Sequence, residues 1–492
     1  MLEKESAVWK ISQFTVVHDL ACRGRPGLLL VLNTATQRSM VVAEPTWAAA
    51  AGSAACPDSA EPSTRTVIAA LADAGYLVAE ALDENAGFLD GFDRRRLAPA
   101  RINPIIAFTT DCNIACTYCY EEGVRATTMT EPVVAATVRW LERRIVLDGV
   151  IEVVPNLFGG EPLLHRRLLT DFMTRVNAMG DAHSATVAYA MSSNGMLLTE
   201  ELARVLAQLR LRQIQISLDG PPAVHDQRRV GHRGQSTFAQ ALRGIEHACR
   251  WIPDVTVKVN FDRHNAAAVP DLFDELAARG TAERLTVKLE AIAHQFPGSK
   301  ACHPSSYVIP PETPEMADTY LGLTQAARRR GLRVTPDTAH TTPCMYTSQW
   351  GVIIGPDGGI SKCISLVGRP EHEVGNVLAG DWDTDRYDAA MNVRKKVTDC
   401  VSEKCAYLPV CAGGCSYESA VRGMSTATRF CTKPALERYH FGRQLLRHEA
   451  RLTELGVTPL GDPDFSLPVA PAPGRAPTPV LLPMPTRRDS AT

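Results

Sequence analysis

The sequence lacks an excess of either charge, and it lacks long apolar runs. Among 492 residues, Lys plus Arg number 52 and Asp plus Glu number 54, so the composition indicates no nucleic-acid partner. No window of about 18 residues is apolar throughout, so we expect no membrane-spanning helix and no membrane partner. The first residues, MLEKESAVWKISQF, do not have the pattern of a signal peptide. We therefore expect a cytoplasmic protein, and its length predicts about two to four domains.

Cysteines, in contrast, are numerous and clustered. The sequence has 14 of them, and in a compartment that keeps thiols reduced, clustered cysteines are more often metal ligands or redox groups than disulfides. One group lies at residues 112–119 and a second between residues 344 and 431. We interpret the four scattered cysteines as small core residues; they are Cys22, Cys56, Cys249 and Cys302.

Strand-like and helix-like segments alternate from about residue 103 to residue 335. The strand-like runs are IIAF (105–108), VIEVVPNLF (150–158), TVAYAM (186–191), QIQISL (213–218), VTVKVNF (255–261) and RLTVKLEAI (284–292). A helix-like segment follows each run; in EPVVAATVRWLERRIV, for example, Val134, Val138 and Leu141 share one face. Six successive β-α units predict an α/β fold whose parallel sheet curves into a partial six-unit barrel of the TIM type.

Polar motifs stand at the C-terminal ends of these strands. They are the cysteine loop, GGEP (159–162), SSNG (192–195), SLDG (217–220), Asn260, and Glu290 with His294. In β/α barrels the active site is built from the loops at that end of the strands. The sequence therefore predicts that these motifs converge on one site.

The cysteine loop, TTDCNIACTYCYEEG, carries Cys112, Cys116 and Cys119 in the spacing C-x3-C-x2-C. A closed zinc site needs four ligands, and so does a 4Fe–4S cluster bound only by thiolates. With Tyr118, the loop resembles the signature of the radical S-adenosylmethionine (SAM) superfamily, which has a partial six-unit β/α barrel. The resemblance implies that SAM binds the fourth iron and that the reduced cluster cleaves it to a 5′-deoxyadenosyl radical.

The same resemblance implies SAM contacts in the other motifs. Glu161 is expected at the SAM amino group and Ser217 at its carboxylate, while Asp219 orders a loop whose Arg228 or Arg229 could also reach a carboxylate. The alternative for Asp219 and the two arginines is an ordinary solvated salt bridge. The predicted SAM-binding residues are Tyr118, Gly159, Gly160, Glu161, Pro162, Ser193, Asn194, Ser217, Asp219, Arg228 and Arg229.

The second cysteine group resembles the seven-cysteine SPASM extension of radical SAM barrels, although four residues rather than two separate Cys400 from Cys405. The resemblance implies two auxiliary 4Fe–4S clusters, and so three clusters in all. The outer one would use Cys400, Cys405, Cys411 and Cys431, and the inner one Cys344, Cys363 and Cys415. The candidates for completing the inner set are His340 and Cys302, and the alternative is a position open to substrate. A zinc ribbon is the alternative for this group.

The N-terminal segment joins strand-like ISQFTVVHDL and GLLLVLNTATQRSMVV to helix-like STRTVIAALADAGYLV. It resembles the PqqD-like, winged-helix-like peptide-recognition domain, in which a leader peptide would add a strand to a sheet edge; a simple extension that caps the barrel is the alternative. The predicted domains are this segment (1–98), the radical SAM partial barrel (99–335), the SPASM domain (336–440), and a helix end with a proline-rich, disordered tail (441–492).

The expected function is the modification of a ribosomally made precursor peptide, with formation of a cross-link: a carbon–carbon cyclophane, a thioether or an ether. An external donor of the flavodoxin or ferredoxin type would supply electrons. The alternatives are an anaerobic sulfatase-maturating enzyme that makes formylglycine, a peptide epimerase, and a non-catalytic iron–sulfur scaffold that binds peptides. The general base stays open among Asp226, Glu290, His294 and His340.

Overall fold

The structure is a computed structural model that describes residues 8–97, 100–121, 123–294, 305–335, 344–380 and 382–458. Cys302, His340 and most of the predicted tail lie outside the described residues. The chain forms two compact units. The first contains the described residues up to Gly91, the segment Val397–Ala412 and the residues from Lys433 onwards, and the second contains Phe92–Lys396 and Gly413–Thr432.

Strands and helices are numbered here in chain order over the described residues. The strands are β1 Trp9–Ile11, β2 Thr15–Asp19, β3 Leu28–Asn33, β4 Arg38–Ala43, β5 Leu77–Ala79, β6 Arg101–Ile102, β7 Ile105–Ala107, β8 Ile114–Cys116, β9 Glu152–Val153, β10 Asn156–Phe158, β11 Thr186–Val187, β12 Tyr189–Ser193, β13 Leu211–Ser217, β14 Arg229–Gly231, β15 Asp254–Phe261, β16 Leu285–Ala291, β17 Arg333–Val334, β18 Ile353–Ile354, β19 Gly359–Ser361 and β20 Glu373–Asn376. The α-helices are α1 Glu44–Ser53, α2 Pro62–Asp73, α3 Glu84–Leu97, α4 Glu131–Asp148, α5 Arg166–Ala182, α6 Glu200–Gln208, α7 Pro222–Arg228, α8 Phe238–Trp251, α9 Val269–Ala278, α10 Pro314–Arg329, α11 Thr384–Met391, α12 Val393–Ser402, α13 Leu408–Cys411, α14 Ser416–Val421, α15 Lys433–Arg447 and α16 Glu449–Glu454.

A ten-stranded sheet is the centre of the second unit. Its strands β7, β10, β12, β13, β15 and β16 lie side by side in chain order, and every pair is parallel. The predicted parallel pairing of the six strand-like runs is therefore confirmed. The short strand β17 extends one edge, while β18 joins β7 in parallel at the other edge and leads into the antiparallel strands β19 and β20. Curvature of this sheet into a partial barrel stays a prediction.

The two faces of the sheet differ in chemistry because successive side chains of a strand alternate between them. In β15, Val255, Val257 and Val259 are buried on one face, together with the neighbouring apolar residues of β13 and β16. The other face of β15 carries Thr256, Lys258 and Asn260, and the neighbouring strands also place polar side chains there. A parallel sheet of which one face is polar suits a domain that holds a polar ligand on that face.

The first unit contains the antiparallel sheet β2-β3-β4 and the pair β1-β5. Strand β3 contributes to two cores: Leu29 and Val31 pack with helices α1 and α2, whereas Leu30 packs with Phe441 and Leu445 of α15. The predicted segment 1–98, as far as Gly91, thus shares its compact unit with residues from the C-terminal part of the chain, whereas its last residues from Phe92 belong to the second unit. Its winged-helix character stays a prediction.

None of the helices in the described part of the chain combines the length and apolar character of a membrane span.

Candidate active site

The cysteine loop is anchored by a small sheet that the sequence did not indicate. Strand β8 contains Cys116, which lies opposite Arg229 in the antiparallel strand β14. The amide of Thr117 donates to the carbonyl of Arg228 over 2.9 Å, and the amide of Cys119 donates to the carbonyl of Cys116 over 3.2 Å. The second and third cysteines are therefore held against the segment that carries both predicted arginines.

The three thiols of this loop have an unfavourable environment for ionisation. Burial raises the pKa of Cys112 to about 12, with the negative charge of Cys116 adding to the effect, and burial also raises the pKa values of Cys116 and Cys119. Such thiols become thiolates when a cation takes up their charge, as iron does. This donor set fits three irons of a cluster.

A single-ion site has a different geometry. Within the ranges that the structure describes, no group of three or more His, Cys, Asp or Glu side chains is arranged to hold one metal ion. In an iron–sulfur cluster each thiolate binds its own iron, so the three thiols need not converge on one point.

The GGEP motif runs directly beside the cysteine loop. The amide of Gly160 donates to the carbonyl of Thr109 and the amide of Glu161 to that of Asp111, both over 2.9 Å. A Cβ atom at Gly160 would lie 2.3 Å from the Asp111 oxygen, and one at Gly159, whose φ is +152°, would lie 2.5 Å from the Thr109 oxygen. Glycine is needed at both positions because the GGEP backbone lies directly against the backbone of the cysteine loop. Close approach of these glycines to a ligand stays a prediction.

Glu161 joins the GGEP and SSNG motifs. Its buried carboxylate accepts hydrogen bonds from the amide of Leu163 (3.0 Å), the hydroxyl of Ser193 (2.9 and 3.1 Å) and the amide of Asn194 (2.7 Å). The amide group of Asn194 in turn donates to Asn113 Oδ1 in the cysteine loop over 2.7 Å. Three predicted motifs are thus connected, and contact of Glu161 with the SAM amino group stays a prediction.

Tyr118 lies in a buried polar network. Its hydroxyl donates to the carboxylate of Asp219 and accepts from Arg229 Nη1 (2.8 Å) and Asn260 Nδ2 (3.1 Å). Asp219 is fully buried, and its Oδ1 also accepts from the amide and the side chain of Asn260. The SLDG motif and the end of β15 therefore meet at the aromatic residue of the cysteine loop.

Arg228 makes the second ionic contact of this network. Its Nη1 lies 2.9 Å from Asp262 Oδ2 and its Nε lies 3.9 Å from Asp219 Oδ2, while its guanidinium stands 5.1 Å from the centre of the Tyr118 ring. Arg228 and both carboxylates are buried. The alternative of a solvated salt bridge is therefore wrong, because these charges lie away from water.

Two other predicted residues lie close to these motifs. Ser217 ends β13 opposite Lys258 of β15, and Pro162 is a buried residue at the start of the short 3₁₀ helix Pro162–His165. Their contacts with SAM stay predictions.

Asp226 has a structural role at the start of α8. Its carboxylate accepts from the hydroxyl of Ser236 (2.5 Å) and from the amides of Thr237 (2.8 Å) and Phe238 (2.9 Å). Although burial alone would raise its pKa, these hydrogen bonds hold the pKa of Asp226 below its ordinary value. A carboxylate held in this way is a weak base.

Two further candidates for the general base are also paired. Glu290 lies 2.9 Å from the ammonium of Lys288, and the charges of Lys258 and Lys288 outweigh burial and lower the pKa of Glu290. His294 Nδ1 lies 3.0 Å from Glu418 Oε2, and the His294 carbonyl accepts from the hydroxyl of Tyr417. His294 thus contacts α14, which follows Cys415. His340 lies outside the described residues.

Sequence reasoning missed Glu121, Asp262 and Asn265. Burial raises the pKa of Glu121 to about 8, and its buried Oε1 has no hydrogen-bond partner among the described residues. The side-chain amide of Asn265 donates to the carbonyls of Asp219 (2.6 Å) and Asn260 (2.9 Å). Asp262 directly follows the predicted strand VTVKVNF, and its position at the strand end was the signal that could have identified it.

The inner set of SPASM-like cysteines lies together in the second unit. Burial raises the pKa of Cys363 to about 12, and the nearby charges of Cys415 and Cys344 raise it further. Tyr120 lies between this set and the first loop: burial raises its pKa, and the charges of Glu121, Cys119 and Cys363 raise it further. The predicted outer set is divided between the units: Cys400, Cys405 and Cys411 belong to the first and Cys431 to the second. The outer cluster stays a prediction.

The fold and site define a β/α domain that presents three partly buried thiols from one loop beside a parallel sheet. Residues 106–276 match the family model of the Radical SAM superfamily. The chain contains a radical SAM domain, and the protein is a radical SAM enzyme. This class implies SAM and an iron–sulfur cluster as cofactors.

Curated relatives are similar over different shares of their length. The serine-type anaerobic sulfatase-maturating enzyme of Klebsiella aerogenes is 24% identical over 330 residues, which cover 62% of this chain and 76% of the relative. The mycofactocin maturase MftC of Mycobacterium ulcerans (strain Agy99) is 32% identical over 181 residues, covering 36% of this chain and 45% of the relative. The GTP 3′,8-cyclase of Synechococcus sp. (strain CC9605) is 33% identical over 141 residues, covering 28% and 39%. The chain thus spans less than half the length of the last two.

Two solved structures share the fold. Native anSMEcpe with bound AdoMet has a TM-score of 0.57 at 16% identity, covering 72% of this chain and 99% of that one. Streptococcus suis SuiB bound to the precursor peptide SuiA has a TM-score of 0.52 at 12% identity, covering 86% and 99%. At these identities the likeness concerns the fold alone.

Proposed function

We propose that this enzyme modifies a ribosomally made precursor peptide and closes a cross-link within it. The observation that carries the proposal is the connection of two sites in one unit: Tyr120, which directly follows Cys119 of the first loop, packs against the same apolar cluster as Ile364, which directly follows Cys363 of the inner auxiliary set. Similarity to named maturases and the shared fold with SuiB support a peptide substrate.

The first site is suited to radical chemistry at a protected position. Cys112, Cys116 and Cys119 would hold a 4Fe–4S cluster, and Tyr118 with the Asp219 network would shape the pocket for SAM. When bound, the cluster and SAM supply a 5′-deoxyadenosyl radical that takes a hydrogen atom from an unactivated carbon. The buried Arg228, Arg229 and Asp219 keep this pocket ordered and reduce the access of water.

Closing a cross-link removes two hydrogens from the peptide. One leaves as a hydrogen atom, and the second leaves as a proton and an electron, so the reaction needs an electron acceptor and a base. Cys344, Cys363 and Cys415 would hold the inner auxiliary cluster, which would supply the electron acceptor. His294 is the proposed proton acceptor nearest to this set, because it contacts Glu418 in the helix that follows Cys415.

Three clusters would be present in the complete enzyme, and the outer one would use Cys400, Cys405, Cys411 and Cys431. An external flavodoxin- or ferredoxin-type protein would supply the electron for cleavage of SAM. These cofactors require reduced thiols, which supports a cytoplasmic location.

The first unit is proposed to bind the leader of the precursor peptide. Strand β4 lies at one edge of the β2-β3-β4 sheet and most of its side chains are half-buried. An extended leader could add a strand at such an edge through main-chain hydrogen bonds. A truncated precursor without its leader should then bind more weakly in fluorescence anisotropy.

A second candidate function is the oxidation of a Cys or Ser to formylglycine in a sulfatase. The alignment with the Klebsiella aerogenes enzyme, which covers 76% of that protein, favours it. Peptide epimerisation would use the same first site. A non-catalytic scaffold is set aside because the chain contains a radical SAM domain.

Mass spectrometry of the product tests the proposal. The anaerobically reconstituted enzyme receives dithionite, SAM and the short peptide encoded beside its gene, with a sulfatase-derived peptide in a parallel reaction. A precursor lighter by about two hydrogens, with about twelve irons per chain, supports the cross-linking enzyme. Formation of formylglycine in the sulfatase peptide, with no change in the precursor, would favour the second candidate function over the cross-linking enzyme. A precursor of unchanged mass with an inverted residue would indicate an epimerase.

A further inference from the structure

Two lysines are buried beside the inner auxiliary cysteines. The side chains of Lys362 and Lys396 are only 1% and 3% exposed. Lysine is almost never fully buried unless its ammonium is paired, because removing a charge from water is costly. Their burial next to predicted cluster ligands therefore needs an explanation.

Lys396 lies against the loop that presents Cys415. Its Nζ donates to the carbonyl of Gly414 over 2.6 Å and to the hydroxyl of Ser416 over 2.9 Å, which are the residues on either side of that cysteine. A Cβ atom at Gly413 would lie 2.8 Å from Lys396 Cγ, so the loop also packs against the lysine stem. The ammonium is thus fixed beside Cys415.

Lys362 occupies a similar place beside the other two cysteines. It immediately precedes Cys363, and its Nζ donates to the carbonyls of Ser348 and Gln349, which follow Cys344 in the chain. The charges of Lys362 and Cys344 interact. The Lys396 ammonium therefore contacts the segment that presents Cys415, and the Lys362 ammonium contacts the segment that follows Cys344.

We propose that Lys362 and Lys396 raise the reduction potential of the inner auxiliary cluster, because their ammonium groups are held against the segments that present its cysteines. The inference rests on the proposed function, which supplies that cluster. A cluster gains negative charge when it is reduced, and a nearby positive charge in a medium of low dielectric constant stabilises the reduced form. A higher potential makes the cluster a better acceptor of the one electron that the peptide loses when its cross-link closes.

Both lysines are positioning residues in this account, since they act on the cluster and need not touch the substrate. The test is an EPR-monitored redox titration of the full-length, anaerobically reconstituted enzyme. A chain with Cys112→Ala, Cys116→Ala and Cys119→Ala identifies the auxiliary signals. The variants are Lys362→Met, Lys396→Met and Lys396→Gln, of which the last retains a donor for the Gly414 carbonyl but removes the charge. Lys395→Met is the matched control, because Lys395 is the exposed neighbour of Lys396.

At the wild-type midpoint, each charge-removing variant should lower the ratio of reduced to oxidised inner cluster at least tenfold, which corresponds to about 59 mV for one electron. Lys395→Met should leave the midpoint unchanged. Unaltered midpoints in Lys362→Met and Lys396→Gln, at full iron content, would overturn the inference. If the wild-type enzyme shows no auxiliary signal, the claim of three clusters is wrong, and with it that part of the proposed function. The iron count distinguishes this outcome from a failure of the inference about the lysines.

Discussion

The hydroxyl of Tyr118 donates a hydrogen bond to the carboxylate of Asp219, and this contact joins the cysteine loop to the SLDG motif. The two residues are about a hundred positions apart in the chain. The network places an aromatic ring, a carboxylate and two arginines beside the second cysteine, Cys116.

Removal of the Asp219 charge should destabilise the fold strongly. Asp219→Ala leaves the buried Arg228 with less compensation and the Tyr118 hydroxyl without its acceptor, so the free energy of unfolding should fall by about 3–5 kcal/mol. Urea denaturation of the apoprotein measures the change. Asp274→Ala is the control, since Asp274 pairs with Arg330 at the surface and should cost at most about 1 kcal/mol. Equal effects of the two substitutions would contradict the network's importance.

Gly160→Ala should prevent normal assembly of the first cluster. The added methyl group would lie 2.3 Å from the carbonyl oxygen of Asp111, immediately before Cys112, so the backbone of the cysteine loop must move. Iron content and visible absorbance after reconstitution should fall by roughly one third, because one of three clusters would be lost. Gly52→Ala, where a methyl group meets nothing within 4 Å, should retain full iron.

Glu161→Gln should loosen the SSNG loop. A glutamine side chain offers one acceptor oxygen in place of two, so the amides of Leu163 and Asn194, which donate to different oxygens of Glu161, cannot both keep their partners. Leaving a buried donor without a partner costs about 1–3 kcal/mol. Hydrogen exchange at the amides of 193–196 should become faster, and SAM should bind more weakly in calorimetry. Exchange rates identical to those of the wild type would show that Glu161 does not hold this loop.

Acid should destabilise the protein partly through His225. Burial lowers the pKa of His225 to about 4, and its Nδ1 accepts from the amide of Asp219. Between about pH 6.5 and pH 4 the unfolded chain binds a proton that the folded chain excludes, so the free energy of unfolding decreases as pH falls.

The loss attributed to this residue approaches about 3 kcal/mol at pH 4. His225→Gln should reduce the slope of the free energy of unfolding against pH, measured by urea denaturation between pH 7 and pH 4.5. It should not abolish the slope, because burial also lowers the pKa of His18 to about 4.

Much of the second unit was predictable because its six parallel strands are runs of apolar and β-branched residues followed by amphipathic helices. The pairing of β8 with β14 was not predictable, because each of these strands has only three residues and tertiary contacts determine which strand it pairs with. Helix α1, EPTWAAAAGS, was also missed, because its run of alanines has no clear apolar periodicity. It forms nevertheless since Trp47 and Ala50 pack into the core with Leu29.

The sequence predicted the site residues that belong to recognisable motifs. It did not predict the residues that only packing brings into the site. The spacing of Cys112, Cys116 and Cys119 indicated a cluster. The positions of GGEP and SLDG at strand ends indicated that these two motifs belong to the site. The burial of Arg228 with Asp262, and the burial of Glu121, depend on residues that meet only in the folded chain.

The central claim is that Cys112, Cys116 and Cys119 hold a cluster that cleaves SAM. The most direct measurement is chromatographic quantification of 5′-deoxyadenosine after the anaerobically reconstituted enzyme is mixed with dithionite and SAM. The wild type should form it, and the variant with all three cysteines changed to alanine should form none while keeping the iron of its auxiliary sites. No 5′-deoxyadenosine from fully loaded wild type, or equal amounts from the triple variant, would contradict the account.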